Sequence, residues 1–343
     1  MNVTIFPVSG GGFPVQLGLI SILTDRGIKP RISVGSSGGN VAQYVALAAE
    51  WKAEEIPRLA SLIQSWMFSS SWWPSGFSYV LPSWMIGYFK GSIYASGEGA
   101  NSLIKSVFSN KTPLDTELWT GTLNRTTSKG EFFCNLSKGA SELCQSDIDL
   151  RELNIEPLSY MNGDVELISS VTVASASIPA LVPDKKIGEN SYCDGGTVMA
   201  SPYSALEPAI TALSTKLSQP LHLIYINSYD MESSMGPASY SSVLMNEVSA
   251  AKEIIRNLII QDRLSCIECL KEISTNIKYI SLKCTQDTLN HVEEYKSRAR
   301  RSLLELYVKE DYSIDLMSFN GDDIIKSIEK SKHSAYMRFW WVE

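Results

Sequence analysis

A chain of 343 residues, 44% hydrophobic and 20% charged, has the composition of a folded protein with a sizeable core, which excludes a disordered chain. Its formal net charge of −7 argues against broad binding of nucleic acid, which needs a basic face. Six cysteines over this length are no disulfide framework, and no run of about 18 uncharged apolar residues predicts a spanning helix.

The first residues, "MNVTIFPVSGGG", read as a strand over 3–8 that runs straight into a glycine turn. They lack the basic start and long apolar stretch of a secretory leader, so a cytoplasmic location is expected. A helical stretch from Val15 to Leu23, a strand at 31–35 and an apolar helix at 40–51 follow. Strands alternating with helices predict right-handed crossovers and a largely parallel sheet covered on both faces, an α/β fold. Residues 66–94 break the pattern, because Trp66, Trp72, Trp73 and Trp84 sit among Phe, Tyr, Pro and Ser with one charge, Lys90. This lid-like segment either closes the core with its aromatics or docks them into a headgroup layer, where an apolar body and a polar edge are both satisfied.

Further strands are predicted at 130–137, 192–196, 221–227 and 277–284. Between the last two, Leu244, Val248, Ala251, Ile255 and Leu258 recur at spacings of three and four, the mark of one apolar helix face. Residues 287–311 read as another helix, and the tail "YMRFWWVE" as a cap on the core. The run "KSRARR" (296–301) reads as a solvated helix face, with anionic headgroups as the alternative partner. Cys266 and Cys269 form a CxxC with Cys284 beyond, readable as buried thiols or as a zinc or redox pair. No linker or repeat interrupts the chain, which predicts a single domain over 1–343.

Three short stretches could carry chemistry. "GSSGG" (35–39) fits Gly-x-Ser-x-Gly with Ser37 at the centre, between an apolar strand and an apolar helix. Glycines there allow the strained turn that lifts a serine oxygen out of the fold, and the following helix points free N–H groups at developing negative charge. "SGGGF" (9–13) lets a backbone approach a substrate closely and present several amides; the alternative is a simple tight turn. "YCDGGTV" (192–198) puts Asp194 at a predicted strand end, able to take a proton from Ser37 directly; the alternative is a plain Asp-Gly turn.

The chain has only His222, His291 and His333. His222 lies within the apolar run "LHLIYI", His291 in a helical stretch and His333 near the C-terminus. A Ser–Asp dyad is therefore a simpler scheme than a Ser-His-Asp triad.

In this order, the three stretches resemble the patatin-like phospholipase family. "VASASIPALVP" (173–183) and "DGGTVMASP" look like further landmarks of that family. The resemblance is clear over about residues 3–205 and continues more weakly to about 337. It implies a patatin-like three-layer sandwich, with a mostly parallel central sheet between helices. It also implies a serine lipid acyl hydrolase of phospholipase A type that cleaves phospholipid or glycerolipid esters without metal or cofactor. By the same resemblance Ser37 is the nucleophile, Asp194 its base, and Gly10, Gly11, Gly12 and Gly38 form the oxyanion hole, with the amides of Gly11, Gly12 and Gly38 preferred. Contact with a membrane surface through Trp72, Trp73 and Trp84 fits such a substrate.

One departure stands out. Phe13-Pro14-Val15 replaces the family's x-Arg/Lys-Gly after the glycine triplet, and the loop is about two residues shorter. Pro14 has no amide to donate. That leaves room for a reshaped oxyanion hole, a protein activator, a non-catalytic lipid-binding role or acyl transfer to an alcohol.

Overall fold

The computed structural model describes residues 1–62, 105, 116–135, 158–160, 164–178, 183–197, 203–230, 232, 243–314 and 320–343. The strands are β1 (Asn2–Phe6), β2 (Ile32–Ser36), β3 (Glu117–Asn124), β4 (Lys129–Asn135), β5 (Leu158–Tyr160), β6 (Lys185–Ile187), β7 (Asn190–Asp194), β8 (Leu221–Ile226), β9 (Lys278–Lys283), β10 (Arg301–Val308) and β11 (Ala335–Val342). The helices are α1 (Phe13–Thr24), α2 (Gly38–Ala48), α3 (Ile56–Ser61), α4 (Val165–Ser175), α5 (Tyr203–Lys216), α6 (Val243–Ile273), α7 (Gln286–Arg298) and α8 (Gly321–His333).

All the strands belong to one sheet with the order β5-β4-β3-β2-β1-β8-β10-β11-β9, and β7 pairs with β3 and β6 off this path. Its centre, β3-β2-β1-β8-β10, is parallel throughout, while β4, β7, β11 and β9 add antiparallel flanks. Period-two alternation divides the core between the two faces of this sheet. On β8, Leu221, Leu223 and Tyr225 pack with Leu206 and Ile210 of α5 and with Ile259 and Leu270 of α6. Ile224 and Ile226 join the opposite core with residues of α1, α2, α4, α7 and α8. The fold is α/β, a mixed, largely parallel sheet with helices packed on both faces.

Four expectations change. The helix foreseen over 287–311 ends at Arg298, and Arg301–Val308 is a central strand with every residue buried. A strand buried on both faces has no alternating pattern, so "RSLLELYV" continues the look of the helix before it. On α6, Leu258 is 45% exposed, and the buried side runs through Ile259, Asp262, Arg263, Cys266 and Leu270. That helix buries charged residues, which an apolar-face count passes over. The run "KSRARR" is solvated only in part: Ser297, Arg298 and Arg300 are exposed, whereas Lys296 and Arg301 are buried, and Arg301 donates to the Tyr203 hydroxyl (2.8 Å) and to Glu207 (2.9 Å).

The aromatic tail is a full strand, β11, within the core instead of a cap on it. Cys266 is buried, and burial pushes its thiol well above the ordinary range. Among the described residues no cluster of His, Cys, Asp and Glu is arranged to hold a metal ion, and no helix is long and apolar enough to cross a membrane. The segment 66–94, with Trp72, Trp73 and Trp84, lies outside the described residues.

Candidate active site

The site forms where two strands meet end to end on one flank of β3. β2 runs alongside β3 until Ser36 lies opposite Gly121. β7 comes from the other direction, antiparallel to β3, until Asp194 lies opposite Thr122, the next residue. The carboxylate thus ends a strand, as the sequence suggested, and that strand is antiparallel to β3. The chain leaving β2 turns sharply at Ser37, which has φ 54° and ψ −129°, and enters α2 at Gly38. A non-glycine residue in that region stores on the order of 1–3 kcal/mol of strain, which the packing around it must sustain.

Ser37 Oγ donates a hydrogen bond to Asp194 Oδ2 at 2.6 Å. The Gly196 N–H donates to the other carboxylate oxygen, Oδ1, at 2.7 Å, and the Asp194 N–H is tied to the Ser177 carbonyl at 3.0 Å. Ser37 and Asp194 are 3% and 4% exposed. Burial pushes the Asp194 carboxyl up to about 6, against the opposing pull of the Ser37 and Gly196 hydrogen bonds. A carboxylate held there is a better proton acceptor than one in water and remains ionised at neutral pH.

The glycine triplet is a single 3-10 turn, Gly10–Gly12, that runs directly into α1. Gly10 has φ +49°, and a side chain on Gly11 would collide with the Ile314 carbonyl. Internal bonds occupy much of this loop. The Gly12 N–H donates to the Ser9 carbonyl at 2.7 Å, the Phe13 N–H donates to the Gly10 carbonyl, and the Gly11 carbonyl accepts from the Ile314 N–H at 2.9 Å. The Gly12 amide, one of the preferred donors from sequence, is therefore committed within the turn. Gly10 and Gly11 begin the turn, where N–H groups have no acceptor within it. Gly38 faces them so closely that a Cβ there would lie 2.7 Å from Gly10 N and from Ser9 Oγ. At α2 the first intrahelical bond is Val41 N–H to the Ser37 carbonyl, so the Gly38 amide also points out of its helix. Pro14 occupies the first turn of α1, where a missing N–H costs the helix nothing.

Sequence reasoning passed over the side chains that support these parts. The Ser175 hydroxyl, at the end of α4, donates to the Gly121 carbonyl (2.7 Å) and accepts from the Ser37 N–H (3.2 Å), bracing the turn against β3. It lies within "VASASIPALVP", but nothing in that stretch says which serine bonds where. Of the histidines, His222 starts β8 level with Asn2, whereas Ser37 lies beyond the far end of the neighbouring strands. It is tied to Ser302 (2.9 Å), and burial lowers its pKa to about 3. His291 and His333 are exposed on α7 and α8.

A family model described as patatin-like phospholipase matches residues 8–206, more than half of the chain. Among solved structures, VipD from Legionella pneumophila matches at 12% sequence identity with a TM-score of 0.38; the match covers 97% of this chain and 65% of that one. No curated protein matches the sequence.

Proposed function

We propose, for a chain that belongs to the patatin-like phospholipase family, that it is a serine acyl hydrolase of phospholipid or glycerolipid esters. One observation carries this reading: a serine held at positive φ between a strand and a helix, with its hydroxyl 2.6 Å from a buried carboxylate.

Ser37 Oγ attacks the ester carbonyl carbon while its proton passes to Asp194 Oδ2. The carbonyl electron pair moves onto oxygen, and the Gly38 amide with those of Gly10 and Gly11 receives that charge. As the tetrahedral species collapses, Asp194 returns the proton to the departing alcohol oxygen, leaving an acyl group on Ser37. Water then attacks the acyl carbon and gives its proton to Asp194. Release of the fatty acid restores the Ser37 hydroxyl. The alcohol product retains the rest of the lipid, so the reaction belongs at a lipid surface, and peripheral membrane contact is part of the reading.

A fluorophosphonate probe tests it directly. The wild-type chain should be labelled and should release fatty acid from phospholipid vesicles, and Ser37→Ala should do neither. Labelling without fatty-acid release, but with transfer to an added alcohol, would redirect the reading to an acyltransferase. Vesicle binding with no labelling at all would leave a lipid-binding protein.

A further inference from the structure

Gln16 has no part in the dyad, yet it is the polar side chain in the apolar first turns of α1 that bonds outside its own helix. Ser21 and Thr24, the other buried polar side chains of α1 with hydroxyls, donate to carbonyls of that helix, at Leu17 (2.7 Å) and Ser21 (3.1 Å). Gln16 is 0% exposed and uses both ends of its amide. Its Nε2 donates to the Pro7 carbonyl (2.9 Å) just past β1 and to the Ile226 carbonyl (3.0 Å) that ends β8. Its Oε1 accepts from Ser9 Oγ at 2.8 Å. β1 and β8 are parallel neighbours in register as far as Ile5 and Tyr225. Where their ladder stops, the Gln16 amide takes its place and bridges the two strand ends.

The third bond gives this bridge a functional direction. Ser9 meets both sides of the proposed oxyanion pocket. Its carbonyl accepts the Gly12 N–H and so closes the glycine turn, while its Oγ lies against Gly38 at the start of α2. The rotamer of Ser9 therefore bears on the spacing between the Gly10 and Gly11 amides and the Gly38 amide, and Gln16 holds that rotamer.

We propose that Gln16 is a positioning residue for the oxyanion pocket, acting through Ser9 to hold the glycine turn against the start of α2. The proposal rests on the acyl-hydrolase reading above. It accounts for how a loop with Phe13-Pro14-Val15 after its glycines is kept in place: the anchoring group lies one position further on, inside α1, and is a neutral amide. Small displacements at such a pocket lower the rate of the chemical step far more than they weaken substrate binding.

The test compares wild type, Gln16→Met, Ser9→Ala and the double variant, with active sites titrated by fluorophosphonate and melting temperatures measured in parallel. Gln16→Met keeps the side-chain volume and removes the amide. It should lower kcat at titrated sites by about tenfold to a hundredfold with KM within about twofold of wild type. Ser9→Ala should lower kcat in the same way, and the double variant should lose little beyond the larger single loss. Wild-type kcat in Gln16→Met, even with a lowered melting temperature, would overturn the proposal and leave Gln16 a packing residue. So would losses that multiply in the double variant. Should Gln16→Met fail to fold, Ser9→Ala decides alone, since unchanged kcat there overturns the coupling. A wild-type chain that neither hydrolyses lipid nor labels at Ser37 would instead refute the acyl-hydrolase reading, and this proposal with it.

Discussion

Asp194 and Glu305 are both carboxylates buried in one sheet, yet their surroundings differ in kind. Glu305 on β10 is 0% exposed and sits between two guanidinium groups: Arg263 of α6 and Arg338 of β11 each approach its Oε2 at 3.1 Å. Asn227 donates to its Oε1 at 2.6 Å, and Arg338 is further held by Asp230 and stacked over the Tyr307 ring. Asp194 accepts from a hydroxyl and a backbone amide, and desolvation raises its pKa against the opposing pull of those two bonds. The difference separates a carboxylate clamped between two guanidinium groups from one whose raised pKa suits the base role proposed above. Burial alone does not make a carboxylate reactive; a raised pKa with a hydroxyl in hydrogen-bond reach is what fits it to take a proton.

The largest effect that would break this contrast is on turnover. Asp194→Asn should lower kcat by at least ~10⁴-fold, because a serine and its base act as a unit. Glu305→Gln should leave kcat per titrated site near wild type; a comparable loss there would erase the distinction between the two carboxylates. In stability the order reverses. Truncating Glu305 to Ala leaves two buried guanidinium groups without their shared partner and should cost about 3–5 kcal/mol in urea unfolding. Asp194→Asn should stabilise the protein at pH 8. The folded pKa is raised, from 3.8 to about 6, so ionisation opposes folding: stability is fullest below the unfolded pKa and declines as pH rises through the interval between the two. The whole interval corresponds to at most about 3 kcal/mol, which Asp194→Asn should recover as a pH-dependent gain over wild type. A gain that does not change between pH 4 and pH 7 would place its origin elsewhere.

The smallest and sharpest test is the pH profile. In the proposed mechanism turnover requires ionised Asp194, so kcat/KM should fall on the acid side with a midpoint near pH 6. Glu305→Gln should not move that midpoint, and a shift of a full unit would mean that the two carboxylates are electrostatically linked.

Much of the site was legible before any fold was known. "GSSGG" between an apolar strand and an apolar helix, "SGGGF" after the first strand and "CDGG" at a later strand end each carry a local reason for their residue types. The first turns and strands were legible for the same reason, since their patterns are short-range. Elements buried on both sides were harder to read. β10 looks like a helix because a strand covered on both faces has no period, and α6 buries Asp262, Arg263 and Cys266 among its apolar residues.

By itself, then, the sequence determined which residues could supply a nucleophile, a base and backbone amides, because glycine content, a central serine and an Asp-Gly-Gly are local requirements of that chemistry. Only the tertiary structure decided that β2 and β7 meet at Gly121 and Thr122 so that Ser37 and Asp194 touch. It likewise decided that the Gly12 amide is spent inside its own turn, and that Gln16, Ser9 and Ser175 brace the parts. The contact of Ser37 with Asp194 joins partners 157 positions apart, and a hydrogen bond across that distance is set by strand register, which no short stretch of sequence encodes.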